Sequence, residues 1–174
     1  MAEPGATAQR PQLSHVVLAH APRQPGSWLI WDVRQSMKSP DGSIEVLRGE
    51  LAEVRMGSPL FGSIDIPAMP FRLGGRAFGE ATAFSPDSRF FAIAELVEAA
   101  RSGPISRVIV FDFKQKRERV AKQADAGLIK SVEWSSPREL KIVHWVHVFG
   151  DQTEVWTATT NDEQECNSPW WRFW

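Results

Sequence analysis

The chain has 174 residues, the size of one ordinary domain and too short for two independent ones. Hydrophobic residues make up 43% and charged residues 24%, which excludes the disordered and fibrous classes. Lysine plus arginine number 20 against 21 acids, a net charge of −1, so the electrostatic footprint of a chain devoted to a nucleic-acid backbone is missing.

In chain order, residues 1–12 carry two prolines and no periodicity and are expected to form a mobile lead-in. Their first five, Met1-Ala2-Glu3-Pro4-Gly5, begin acidic rather than basic and apolar, which sets the expectation of a cytoplasmic protein. From there to residue 160 the chain breaks into short apolar runs: Ser14–His20, Ser27–Val33, Ser43–Leu47, Arg89–Leu96, Arg107–Phe113, Ile129–Trp134, Leu140–Val148 and Thr153–Thr159. Rich in Val, Ile, Phe and Trp, they suit half-buried strands. Turn signals separate them at Pro25-Gly26, Pro40-Asp41-Gly42, Ser85-Pro86-Asp87, Gly103-Pro104, Ser135-Ser136-Pro137 and Gly150-Asp151. Connections this short leave no room for crossover helices, so the strands must run antiparallel. The prediction is a mainly-β domain over 13–160, an antiparallel meander of about 8–9 strands. Gly49–Met56, Ala94–Arg101 and Gln115–Asp125 are rich in helix formers, and one short helix is expected in 49–56. The segment Gly57–Gly79, with three prolines and five glycines, is predicted to be a long irregular connection with one strand at Ala68–Leu73.

The chain is also self-similar. Ala83-Phe84-Ser85-Pro86-Asp87-Ser88-Arg89-Phe90-Phe91-Ala92-Ile93 parallels Glu133-Trp134-Ser135-Ser136-Pro137-Arg138-Glu139-Leu140-Lys141-Ile142-Val143, each an aromatic strand end, a Ser/Pro turn and a second apolar strand. Val108-Ile109-Val110-Phe111-Asp112 matches Thr153-Glu154-Val155-Trp156-Thr157, and Trp28-Leu29-Ile30-Trp31-Asp32 is an earlier relative. With Ser85, Pro86 and Asp87 at the turn and Phe111-Asp112 and Trp31-Asp32 ending strands, residues 81–160, and more faintly 13–47, resemble WD40-like β-propeller blades. The family's Gly-His dipeptide is missing, and Ser88 stands where its turn glycine belongs. A closed propeller needs at least four blades of about forty residues, more than this chain supplies. The resemblance therefore implies two blade-like sheets facing each other, as a half-propeller or sandwich, each covering the other's apolar face. Trp31, Phe84, Phe111, Trp134 and Trp156 are the expected core aromatics.

No set of residues points to catalysis. Gly74-Gly75-Arg76-Ala77-Phe78-Gly79 lacks the lysine of a phosphate loop, and no Gly-x-Ser-x-Gly elbow occurs. His144 and His147, three apart on a strand, fall on opposite faces and cannot share a metal; His15 and His20 meet the same objection. Cys166 is the single cysteine, too few for an internal disulfide or a zinc site, and its acidic neighbours disfavour the thiolate. The basic cluster from Lys114 to Lys122 has no interleaved aromatics and suits a solvated hairpin tip better than a nucleic-acid surface. No cofactor, metal or catalytic residue is expected, and the absence of any run of about eighteen apolar residues argues against a membrane span.

What remains is protein binding. Eight tryptophans and ten phenylalanines, with no tyrosine, supply interface anchors. The candidate partner-binding residues are Phe61, Asp65, Phe71 and Arg72 in the 57–79 connection, Asp151 and Glu154 at the 149–154 turn, and Trp170 and Trp171. The last two belong to a C-terminal segment, 161–174, that packs four aromatics into its final seven residues and is expected to fold back on the domain. A short, β-rich chain with blade-like repeats and no catalytic set is similar in style to immunity proteins that neutralise bacterial antagonistic toxins. That resemblance implies a cytoplasmic inhibitor that occludes its partner's active site. The alternatives are a scaffold module completing a propeller-like interface, and an enzyme with a cryptic site in the 57–79 connection.

Overall fold

The structure, a computed structural model, describes residues 30–31, 35–53, 59–97, 105–124, 126–146 and 149–157. Eleven strands and no helix occur among them: β1 (Ile30–Trp31), β2 (Gln35–Lys38), β3 (Glu45–Glu53), β4 (Leu60–Asp65), β5 (Phe78–Phe84), β6 (Phe90–Val97), β7 (Ile105–Asp112), β8 (Arg117–Gln123), β9 (Leu128–Ser136), β10 (Glu139–Val146) and β11 (Gly150–Thr157). Hydrogen bonding groups them into two antiparallel sheets. The larger runs β1-β3-β4-β5-β6-β7-β8, with β2 also pairing β3; the smaller runs β11-β10-β9. β1 meets the C-terminal end of β3 and β2 its N-terminal end.

Packing divides these two sheets into three layers. The seam is the β4–β5 ladder, which holds only the pairs Phe61↔Gly79 and Gly62↔Phe78. There the large sheet turns over on itself. Ile44, Val46, Ile64 and Ile66 of the first layer pack on Phe91, Ile93, Ile109 and Phe111 of the second. On the second layer's other side, Phe90, Ala92, Ala94, Val108 and Val110 meet Ile129, Val132, Trp134, Leu140 and Ile142 of the third. Alternation in β6 and β7 thus feeds two cores, which is why both strands read as continuous apolar runs. All eight residues of β7 are buried. Trp134 fastens the third layer: its ring stacks on Phe90 with centroids 5.6 Å apart, and its indole N–H donates to the Ala83 carbonyl at 3.1 Å. The Arg119 guanidinium lies 5.1 Å from the Trp156 ring centroid, tying β8 to β11.

Each layer contains a Ser-Pro hairpin. In Ser39-Pro40-Asp41-Gly42 the Ser39 hydroxyl donates to Asp41 at 2.6 Å and accepts from the Ile44 N–H at 3.0 Å. Ser85-Pro86-Asp87-Ser88 repeats this, with Ser85 donating to Asp87 at 2.6 Å and accepting from the Phe90 N–H at 2.8 Å. Gly42 at φ +72° and Ser88 at φ +61° hold the same left-handed position, so the serine carries strain that the glycine avoids. The two turns also touch, the Asp41 N–H donating to Ser88 Oγ at 3.1 Å. Hydrogen bonds from Ser39, then from the Ser43 backbone and hydroxyl, hold the Asp41 carboxyl well below the usual carboxylate range. The third hairpin, Ser136-Pro137-Arg138-Glu139, is one residue shorter before its apolar strand; Ser136 Oγ accepts from the Arg138 and Glu139 N–H groups.

The antiparallel, mainly-β architecture is as the sequence indicates, with several corrections. Strands number eleven rather than eight or nine. The helix expected in 49–56 is instead the second half of β3 as far as Glu53, because β1 on one side and β4 on the other supply ladders that outweigh helix propensity. Residues 54–56 lie outside the described set. Residues 57–79 are not one irregular connection: β4 and the start of β5 fall within them, and Ala68–Leu73 is not a strand. Of the expected core aromatics, Phe111 and Trp134 are buried, Phe84 and Trp156 pack half-buried against the cores, and the Trp31 side chain lies outside the described residues.

Candidate functional site

The structure separates the proposed partner-binding residues into three places. Asp65 and Phe71 line one cleft of about 620 Å³ beside β3 and β4. Arg72 is exposed nearby, on the connection from β4 to β5. Phe61 is 4% exposed, so it is no surface anchor. Its ring lies over Gly79, where an added Cβ would come within 3.1 Å, and this close approach explains the glycine. Asp151 and Glu154 stand on β11 in the third layer. Trp170, Trp171, Cys166, His15, His20 and His147 lie outside the described residues.

The β11 acids are not free charges. Asp151 pairs with Lys130, and Glu154 bridges Lys122 on β8 at 2.8 Å and His144 Nε2 at 3.4 Å. Asp151 belongs to the outer face of the third layer, whereas Glu154, opposite Ile142 in the register, lies on the other side with His144. Register pairs Lys141 with Val155, Val143 with Thr153, and Trp145 with Asp151, so these six share the side opposite Leu140 and Ile142. Val155 is 65% exposed and Trp145 43%, and Phe149 at the hairpin tip is 74% exposed. Gly127, at φ +86°, supports this corner: a Cβ there would fall 2.0 Å from the Trp145 carbonyl oxygen.

Glu95, Arg107 and Arg48 are charged residues buried on the side of the first core. Glu95 accepts from Arg76 Nε and from Arg107 Nε, each at 2.7 Å, and Arg76 reaches on to Glu118 at 2.8 Å. Burial alone would raise the Glu95 pKa, but hydrogen bonds from Arg76 and Arg107, with their charges, leave it lowered. Arg48, on β3, is equally buried. It donates to the Gly79 carbonyl, its Nε–H finds no acceptor, and it forms no ion pair among the described residues. Burial depresses its pKa, an effect that Glu80 only partly offsets. It lines the cleft with Asp65 and Phe71.

Among the described residues no group of three or more His, Cys, Asp or Glu is placed to hold a metal, and no helix is long and apolar enough to cross a membrane. Sequence reasoning passed over Arg48, Glu95, Trp145, Phe149 and Val155. Ile44, Val46 and Arg48 share one parity, which places the arginine on the apolar face; that signal was available. No family model matches the chain, and a comparison with curated proteins found no match.

Proposed function

We propose that this is a binding protein, without catalysis of its own, that docks a protein partner on the outer face of β9–β11. One observation carries the reading: among the described residues the second layer is covered on both sides, whereas on the third Val155 and Phe149 are largely exposed and Trp145 partly so. An exposed aromatic–aliphatic patch ringed by Lys130, Lys141 and Asp151 has the make-up of an interface centre with a polar rim. In its narrower form the partner is a bacterial toxin whose active site the protein occludes. The likeness of the blade region to short immunity proteins supports that form.

The test is co-expression. The open reading frame beside this one is induced alone and then with the wild-type chain. The expected outcome is growth arrest relieved by the wild type, and relief lost with a Trp145→Glu/Val155→Glu variant that still folds. Full protection by that variant would overturn the face, and no toxicity would overturn the toxin. A scaffold built by self-stacking on the same face would give a dimer in size-exclusion chromatography that the double variant splits.

A further inference from the structure

We infer that the cleft beside β3 and β4 is a binding site for a small carboxylate with an apolar body, and that Arg48 is the group that pairs with the carboxylate. The argument begins with what the fold requires of position 48. Arg48 lies nine residues after Ser39, and the residue nine after Ser85, the same point of the second hairpin, is Ala94. His144 holds the matching position in the third, whose turn is one residue shorter. Neither of the other two hairpins places a guanidinium at this position, so Arg48 is an addition to the repeat rather than a requirement of it.

It is a costly addition. Arg48 is 4% exposed, uses the Gly79 carbonyl as its hydrogen-bond partner, leaves Nε–H without an acceptor, and has no carboxylate in ion-pair range among the described residues. Buried cations are ordinarily paired, and an orphan donor needs a reason. A bound water would satisfy one N–H but leave the charge unpaired. An anion does both, and a carboxylate matches the planar fork of a guanidinium.

The cleft itself narrows the class. Its volume of about 620 Å³ lies within the usual range for small-molecule sites. Leu47, Ile64, Phe71 and Leu73 give it apolar walls, which suit a hydrocarbon body. Asp65 lines the same cleft and Glu80 acts on Arg48 through space, so the charge of the guanidinium is already partly offset. One guanidinium against two acids favours a monoanion over a phosphate dianion.

The experiment titrates octanoate, octan-1-ol and inorganic phosphate separately into ¹⁵N-labelled full chain, reading amide shifts and, in parallel, the melting temperature. Octanoate is expected to saturate, with the largest shifts at Gly49, Ser63 and Gly74, and octan-1-ol to bind at least tenfold more weakly. Arg48→Met should weaken octanoate at least tenfold while its melting temperature holds or rises, because the methionine no longer buries a lone charge. Equal binding of octanoate and octan-1-ol, shifts centred elsewhere, tighter binding of phosphate, or a folded Arg48→Met that binds octanoate like wild type would each overturn the site. Should Arg48→Met fail to fold, the octanoate and octan-1-ol comparison on the wild-type chain still decides.

Discussion

Glu95 and Arg48 are buried to the same degree, on adjoining parts of the same three-layered molecule, and the fold treats them in opposite ways. Both carboxylate oxygens of Glu95 are taken by arginines, and one of those arginines extends the network to a fourth residue at the surface. Among the described residues Arg48 has one backbone carbonyl as its hydrogen-bond partner and no ion pair. The contrast separates a charge that the structure has closed off from one it has left open. A satisfied buried ion can fix register and geometry; an unsatisfied one stores a free-energy cost that only a further partner removes.

The largest expected effect comes from breaking the closed network. Glu95→Ala would take from Arg76 and Arg107 the buried carboxylate they share, and removing one partner of a buried ion pair costs about 3–5 kcal/mol. Against a total stability of roughly 5–15 kcal/mol, this should bring the urea midpoint down sharply. A shift below about 1 kcal/mol would mean that the network is solvated, and the contrast with Arg48 would fall.

Acid supplies the next test. The pKa of Glu95 is lower in the folded chain than the usual value of about 4.3, so the unfolded chain takes up the proton first. Its stabilisation is complete above that value and is lost as pH falls through the folded pKa. Wild type should therefore lose stability between about pH 5 and pH 3 more steeply than Glu95→Gln, which cannot titrate there. Asp41 contributes to the acid slope of both proteins, so the difference between the two curves isolates Glu95. Parallel curves would show that Glu95 is not what the acid releases.

Arg48→Met should move stability the other way, by a smaller amount. Replacing an unpaired buried cation with an apolar chain of similar length is expected to be neutral or to stabilise by about 1–2 kcal/mol, read from the same urea midpoints. A loss as large as that of Glu95→Ala would show Arg48 to be a structural partner after all.

These two residues also mark how far the sequence could be read. β6, β7, β9 and β10 were legible because each is an apolar run bounded by Gly, Pro or Ser, and the burial of Phe111 and Trp134 followed from them. β2, β4 and β8 were not. Gln35–Lys38 is short and polar, Leu60–Asp65 carries Gly62 and Ser63, and Arg117–Gln123 has the composition of an exposed helix. Each becomes a strand because a neighbouring strand offers it a ladder, a fact that no local pattern holds. Of the site, Asp65 and Asp151 are exposed, while Phe61 is buried because of the small Gly79 opposite it on the next strand, β5. Glu95 looked like a helix-forming glutamate; only the pairing of β6 with β7 sets it opposite Arg107.

The smallest effect belongs at the far end of the molecule, where charge is neither closed off nor buried. Lys130–Asp151 and Lys122–Glu154 are ion pairs between partly exposed side chains, worth about 0–1 kcal/mol each to folding. Reversing Asp151, the one of these acids on the outer face, to lysine should thus leave the urea midpoint nearly unchanged. Its consequence should be kinetic. Rim charges act mainly on encounter, so association with a partner bound at the β9–β11 face should slow and its salt dependence flatten, while dissociation barely changes. Trp145→Ala should do the reverse, speeding dissociation with little effect on the approach, because an apolar anchor acts only after docking. Stopped-flow association at two ionic strengths separates the two variants. If both altered only the dissociation rate, Asp151 would belong to the centre of the interface rather than its rim. If neither altered any rate, the outer face of the third layer would not be where the partner sits.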